Sequence, residues 1–373
     1  MTEATGATDA TDQEIVARLT TLGLVPWDEP ITLSPAQAQS VCSRARYEGL
    51  VCLLGAAIEG ELVLVDPETD RLVTQAWVEL MASAVQLDSL LLVVHQALAA
   101  AGVPMRALKG AAVATLDEPH PAWRSYSDVD VLVPSDRLLH AVDALVAQGM
   151  QPLADPVSRK WAARYAKSIT LGHESGAQVD VHRMLAAGPF GSRLESNTLF
   201  AAGKSFQVGG AGVVALSDAQ RFLHACYHAA LGGVRGARHR RDVLLLAHAV
   251  RPGDVAELFE RGWSSAVVAA ALQWAGEGSA ATTDEWAAWL QSVRPHPADT
   301  TLLAAYGGSF RGIALAELRA TSGPVAKSRY AAALLWPSRA NLAARGHTRW
   351  QHLRRLAGAG GSSQKSSAGG AGS

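Results

Sequence analysis

The sequence predicts an α+β protein, with a small mixed β-sheet set between a helical region before it and a helical domain after it. Three observations carry that reading. Apolar residues recur at helical spacing through the first hundred positions, short strands alternate with helices between 103 and 215, and helical periodicity returns from 216 to 356. A chain of 373 residues is long enough for parts with separate cores. The expected division is a disordered start (1–11), an N-terminal helical region (12–102), a sheet core (103–215), a C-terminal helical domain (216–356) and a disordered Gly/Ser-rich tail (357–373).

Asp12 to Leu24 and Ser34 to Ile58 read as helices, the second opening at Ser34-Pro35, where serine caps and proline fits the first turn. A third, from Glu68 to Ala101, sets Leu87, Leu91, Val94 and Leu98 on one face and stops at Gly102, with Pro104 just beyond. The period then changes. Pro104 to Leu108 reads as a strand, Lys109-Gly110 as a turn, Ala111 to Leu116 as a helix and Val129 to Val133 as a strand, after which Ser135 caps a helix ending near Gly149. Ser168 to His173 and Gln178 to Leu185 flank Glu174-Ser175-Gly176 and predict a hairpin. From Ser217 to Arg355 helices follow, with apolar stripes over Val255 to Trp274 and Tyr330 to Leu335.

With 33 basic and 34 acidic residues, the chain has no global charge bias toward nucleic acid or membrane. Cys42, Cys52 and Cys226 are odd in number, far apart and set among apolar residues, which argues for reduced thiols over a disulfide framework or zinc site. The N-terminus lacks the basic start and apolar stretch of a secretory signal, and the richest apolar run, Leu90 to Val94, is interrupted by His95 and Gln96. A cytoplasmic protein is expected.

The segment Ser127 to Val133, SDVDVLV, places Asp128 and Asp130 two apart in an apolar strand. Period-two geometry puts both carboxylates on one face, where they repel unless a cation lies between them. Burying unpaired carboxylates costs several kcal/mol, so the pattern reads as a metal site. A third carboxylate, Asp180, lies in QVDVH beside His182, and a Lys109-Gly110 turn precedes the Asp-x-Asp strand. Phosphoryl or nucleotidyl transfer needs such parts, because carboxylates hold two Mg²⁺ ions while a glycine turn and the helix after it receive phosphates.

This constellation resembles the DNA polymerase β-like nucleotidyltransferase superfamily. More narrowly, it is similar to a large bacterial group of uncharacterised nucleotidyltransferases, on Leu108-Lys109-Gly110, Arg124, Asp128 to Val133, Asp180-Val181-His182, His228 and Arg241-Asp242. The resemblance covers roughly residues 40 to 280. It implies a nucleotidyltransferase core using two Mg²⁺ ions, or Mn²⁺, with Asp128, Asp130 and Asp180 as metal ligands and catalytic residues. It also implies that Lys109, Gly110, Arg124, His182, His228, Arg241 and Asp242 surround a nucleotide, with ATP or another NTP donating NMP to an acceptor. Gly110-Ala111 replaces the superfamily's usual Gly-Ser, so a hydroxyl for the phosphates is missing and Lys109 offers a charge instead.

A tailoring phosphotransferase acting on a peptide or small metabolite would need the same parts, and an inactive nucleotide-binding regulatory protein would fit the lost serine. His224 and His228 stand four apart at a spacing that can ligate zinc, with no third ligand fixed by sequence. Arg319 to Arg355 holds eight Lys or Arg and no acidic residue, with Trp336 and Trp350 interleaved, a solvated face or a surface for an anionic partner.

Overall fold

In the computed structural model, which describes residues 11–153, 159–232, 236–262, 264–277, 281–306, 310–321, 323–335, 342 and 348–357, helix formation begins at Thr11. Its hydroxyl accepts from the Glu14 amide while the Glu14 carboxylate accepts from Thr11 N–H, a reciprocal cap that opens α1 (Asp12–Leu19). Position 11 is thus a cap and not part of a disordered start. The disorder expected for 1–10 and for 358–373 falls outside the described residues, and Ala357 still closes a final helix, Arg349–Ala357.

Ser34 caps α2 (Pro35–Glu48) in the same reciprocal way with Gln37. The single helix expected to reach Ile58 is broken at Gly49, whose φ of 72° ends α2 before α3 (Val51–Glu59) begins. Two short strands, β1 (Ile31–Thr32) and β2 (Val63–Leu64), pair in parallel beside them. Ile15, Leu19, Val41, Leu50, Leu54 and Val73 form the core of this region.

Helix α4 (Pro67–Ala100) leaves that core and enters the next one: Leu87, Leu90, Leu91, Val94 and Leu98 are buried against the sheet. It was expected to belong to the helical region alone; its second half is a layer of the sheet domain. By length and composition α4 could cross a membrane, with a window of mean hydropathy 1.6, although His95 and Gln96 interrupt its richest apolar run. A long core helix of a globular fold meets the same criterion.

The main sheet contains β3 (Arg106–Ala107), β4 (Asp128–Leu132), β5 (Gln151–Pro152), β6 (Ser168–Gly172), β7 (Gln178–His182), β8 (Lys204–Val208) and β9 (Ala211–Ala215), ordered β5-β6-β7-β4-β3-β9-β8. The β4–β7 and β3–β9 pairs are parallel and the others antiparallel, so the sheet is mixed and the fold is α+β. The β6–β7 hairpin lies where the sequence placed it; the β8–β9 hairpin, with its Gly209-Gly210 turn, was not anticipated. Val129, Val131, Val133, Val179 and Val181 face α4 and α6 (Leu138–Val146). Ser135 does not cap α6: its hydroxyl donates to the Arg183 carbonyl, 2.9 Å away, and tethers the loop to the end of β7.

Strand alternation turns residues 128, 130, 132, 180 and 182 to the opposite face. There Leu108 and Leu132 join Phe222, Leu223, Val243 and Leu246 of the C-terminal helices in one core, so the acidic face lies under α10 (Asp218–Leu231) and α11 (Ala237–Ala249). Between β3 and β4 run α5 (Lys109–Leu116) and a proline-containing connection. Past the hairpin come α7 (Arg159–Tyr165), α8 (Gly188–Arg193) and α9 (Ser196–Ala201), then α10 (Asp218–Leu231), α11 (Ala237–Ala249), α12 (Pro252–Gly262) and α13 (Ser265–Gly276). Trp286 is fully buried in this domain and donates its indole N–H to the carbonyls of Ala247 and Val250.

The connection after α5 acts as a clasp. Asp117 accepts two bonds from Arg221 of α10, at 2.8 and 2.6 Å. Glu118 accepts two from Arg241 of α11, at 3.2 and 2.5 Å, and Arg241 also donates to the carbonyls of Thr20 and Leu22. Three regions of the chain therefore meet at one buried guanidinium. In the basic segment, Arg319, Lys327, Arg329 and Trp350 are exposed, whereas Trp336, Arg339 and Arg345 lie outside the described residues.

Candidate active site

Parallel pairing of β4 with β7 sets Asp128 opposite Gln178, Asp130 opposite Asp180 and Leu132 opposite His182. Asp130 and Asp180 thus share a sheet face on adjacent strands, where side chains at paired positions stand within contact of one another. Asp130 is buried, while the Asp180 side chain keeps 26% of its exposure and accepts a bond from Thr170, its partner across β6. His182 is fully buried; its Nε2 lies 2.7 Å from Asp130 Oδ1 and 3.9 Å from Asp180 Oδ2. Potential ligand atoms of Asp130, Asp180 and His182 all lie within 4.8 Å of one another.

Lys109 supplies the counter-charge. Its ammonium is 3.1 Å from each carboxylate oxygen of Asp130. The backbone delivers it there through an unusual turn: Lys109 has φ of 37°, and Gly110, at φ 14° and ψ −112°, lies so close to the Tyr126 ring that a Cβ would stand 3.3 Å from it. The Leu108 amide bonds the Asp130 carbonyl at 2.9 Å, which pins the turn to β4.

Electrostatics separate the two aspartates of the Asp-x-Asp pair. Burial opposes ionisation of Asp130, but the hydrogen bond from His182 together with the Lys109 ammonium holds its carboxyl well below the usual range. Asp128 is raised, first by burial and then by the charge of Asp130, with Lys109 only partly compensating. His182 is lowered by burial, against the pull of Asp130. The pair is read as ionised Asp130 and neutral His182. An ionised carboxylate can only accept, so Nε2 carries the proton and Nδ1, which is buried without a partner among the described residues, does not.

The donor set is two carboxylates and one imidazole, which suits a hard or borderline divalent ion such as Mg²⁺ or Mn²⁺. It differs from the expected Asp128, Asp130 and Asp180 set in that His182 belongs to the compact group and Asp128 stands at the entry of β4. Among the described residues no second such group occurs, and the histidines suited by spacing to zinc do not form one. His224 and His228 have ring centroids 6.5 Å apart, and His228 instead packs edge-on against His239 at 4.5 Å. Burial and the charge of Lys109 keep both His224 and His228 uncharged, the latter lowered to about 3.

The remaining expected nucleotide contacts separate. His228 lines a small cavity with Lys109, His224 and Asp242. Arg124 is buried in a two-pronged ion pair with Asp242, whose carboxyl is lowered to about 2 by that arginine in spite of burial. Arg241, expected at the nucleotide, is instead 1% exposed and bonded to Glu118, Thr20 and Leu22, a clasp residue and not a nucleotide contact. Arg238, whose charge reaches Asp128, belongs to the basic run 235–241, from which the sequence offers an arginine to the nucleotide; sequence reasoning missed Lys167, whose charge also reaches Asp128, and Thr170. Of these only Thr170 carried a signal, its alternation with Asp180 across the predicted hairpin. The three cysteines are free thiols, and burial raises the Cys52 thiol to about 11.

Fold and acidic centre together define a nucleotidyltransferase-like α+β protein. The model of a family of uncharacterised nucleotidyltransferases matches residues 34–271, and the chain belongs to that family. It is also similar to a solved structure, an antigenic nucleotidyltransferase-like protein from Paracoccidioides brasiliensis, at 14% identity and a TM-score of 0.35, over 57% of this chain and 95% of that one. No curated protein matches the chain.

Proposed function

We propose that the protein is a divalent-metal-dependent nucleotidyltransferase that moves a nucleoside monophosphate from an NTP to an acceptor hydroxyl or phosphate and releases pyrophosphate. The observation that carries this reading is the in-register Asp130–Asp180 pair with His182 beside it, a ligand group facing the Lys109-Gly110 turn. A cation held by Asp130 and Asp180, with Asp128 at its edge and His182 a further ligand only once its Nε2 gives up the proton, would neutralise triphosphate charge and orient the acceptor oxygen. Asp180, the more exposed carboxylate, accepts the acceptor's proton as the new oxygen–phosphorus bond forms and the bond to pyrophosphate breaks. His182 fixes the orientation of Asp130.

Incubation with each labelled NTP, Mg²⁺ or Mn²⁺ and a cell extract, followed by the mass of the labelled product, tests the reading. An adduct carrying the base supports it; transfer of phosphate alone makes the protein a phosphotransferase, and saturable NTP binding without any product makes it a regulatory binder. Because the asparagine amide oxygen can still face the cation, Asp180→Asn should weaken metal-dependent NTP binding far less than it slows transfer, which should fall by roughly a hundredfold or more, the scale of a lost general base. Binding and turnover that fall together would move Asp180 to a structural role.

A further inference from the structure

We infer that in the free protein Lys109 occupies the position of a cation on Asp130, and that binding of a divalent metal expels its ammonium and frees it for the phosphates of the nucleotide. The inference rests on the reading of Asp130 as a metal ligand. Lys109 Nζ lies 3.1 Å from both oxygens of the carboxylate, and His182 Nε2 takes a further position on Oδ1 at 2.7 Å. A carboxylate offers about four lone-pair sites. Three are therefore engaged, and the one left open, on Oδ2, lies on an oxygen that the ammonium already contacts. Metal–oxygen contacts of about 2.0–2.2 Å would bring two positive centres close together in a poorly solvated site, so the two cannot share the carboxylate.

The surroundings allow the exchange. The Leu108 amide bonded to the Asp130 carbonyl fixes the main chain at the start of the turn, so the movement belongs to the flexible lysine side chain. That side chain is 23% exposed and already borders the cavity shared with His224, His228 and Asp242. His224, on the wall of that cavity, has its Nε2 buried without a partner among the described residues. The left-handed backbone of Lys109 marks the residue as held in place by its surroundings.

The test uses the full chain without nucleotide. Mn²⁺ affinity is measured by calorimetry for the wild type, Lys109→Met, Lys109→Gln and Asp130→Asn, and lysine reactivity is followed by reductive methylation and mass spectrometry with and without saturating Mg²⁺. Both Lys109 variants should bind Mn²⁺ about tenfold more tightly or better, since no ammonium must leave. Asp130→Asn should lose binding. In the wild type, Mg²⁺ should speed methylation of Lys109 severalfold and leave the exposed Lys327 unchanged. Mn²⁺ affinity that is unaltered or weaker in both Lys109 variants, or Lys109 labelling indifferent to Mg²⁺, overturns the exchange while loss of binding in Asp130→Asn keeps the metal site. If neither the wild type nor the Lys109 variants bind Mn²⁺, the metal reading falls and the exchange with it.

Discussion

Asp130→Asn should abolish metal-dependent turnover and destabilise the metal-free protein, whereas Asp128→Asn should abolish turnover and stabilise it. The sequence alone treats the two as equivalent repelling charges, but the structure gives them opposite signs. Asp130 is favoured as an anion by His182 and Lys109, and its folded pKa lies below the unfolded one. Its contribution is present above the unfolded value of about 4 and fades as pH falls toward the folded value. Removing the charge leaves Lys109 unpaired, at a cost of roughly 1–3 kcal/mol. Asp128 is raised by burial and by Asp130, so its negative charge costs stability at neutral pH and the cost vanishes as pH falls through its folded pKa. Thermal unfolding in chelator at pH 7.5 and at pH 4 checks both signs. Equal shifts for the two variants, or stabilisation by Asp130→Asn, would contradict the assignment.

The second large effect is expected at the clasp. Glu118 and Arg241 side chains are 1% and 2% exposed and bonded at 2.5 Å, and Arg124 approaches Glu118 at 3.9 Å. Glu118→Gln leaves a guanidinium buried without its anion, a loss of about 3–5 kcal/mol. Arg241→Met alone should also destabilise, but the double variant should recover part of the loss because the uncompensated charge is gone. Urea unfolding of the four proteins gives the coupling energy, and a loss below about 1 kcal/mol in Glu118→Gln would show the pair to be better solvated than its burial implies. At temperatures where all four are folded, NTP affinity should be the same, which separates a clasp from a nucleotide contact.

Much of this centre was legible in the sequence for one reason: strand alternation is local. Val129, Val131 and Val133 demand one buried face, so Asp128 and Asp130 had to share the other, and QVDVH follows the same rule. The Gly49 break and the Gly209-Gly210 hairpin turn also left local marks, a glycine at a helix end and a two-residue turn between alternating runs, that were open to reading. Other features had no local trace. That Asp130 pairs with Asp180 depends on register between strands about fifty residues apart, and that Arg241 serves Glu118 depends on a contact across more than a hundred. An arginine beside an aspartate in a helix looks the same in sequence whether it meets a phosphate or a buried glutamate.

The pairing of Asp130 with Asp180 has a consequence for how such a protein can change. Carboxylates carried on loops can drift apart by small increments, but on two hydrogen-bonded strands their separation comes in steps. A slip by one residue turns Asp180 to the valine face and puts Val179 or Val181 in its place, and a slip by two carries it a full repeat along the strand. No intermediate spacing exists for mutation to explore. Insertions in the turn at Glu174-Ser175-Gly176, or substitutions on the helices above, leave the step untouched. The acidic pair is thereby kept as a unit, while the surfaces around it are free to change.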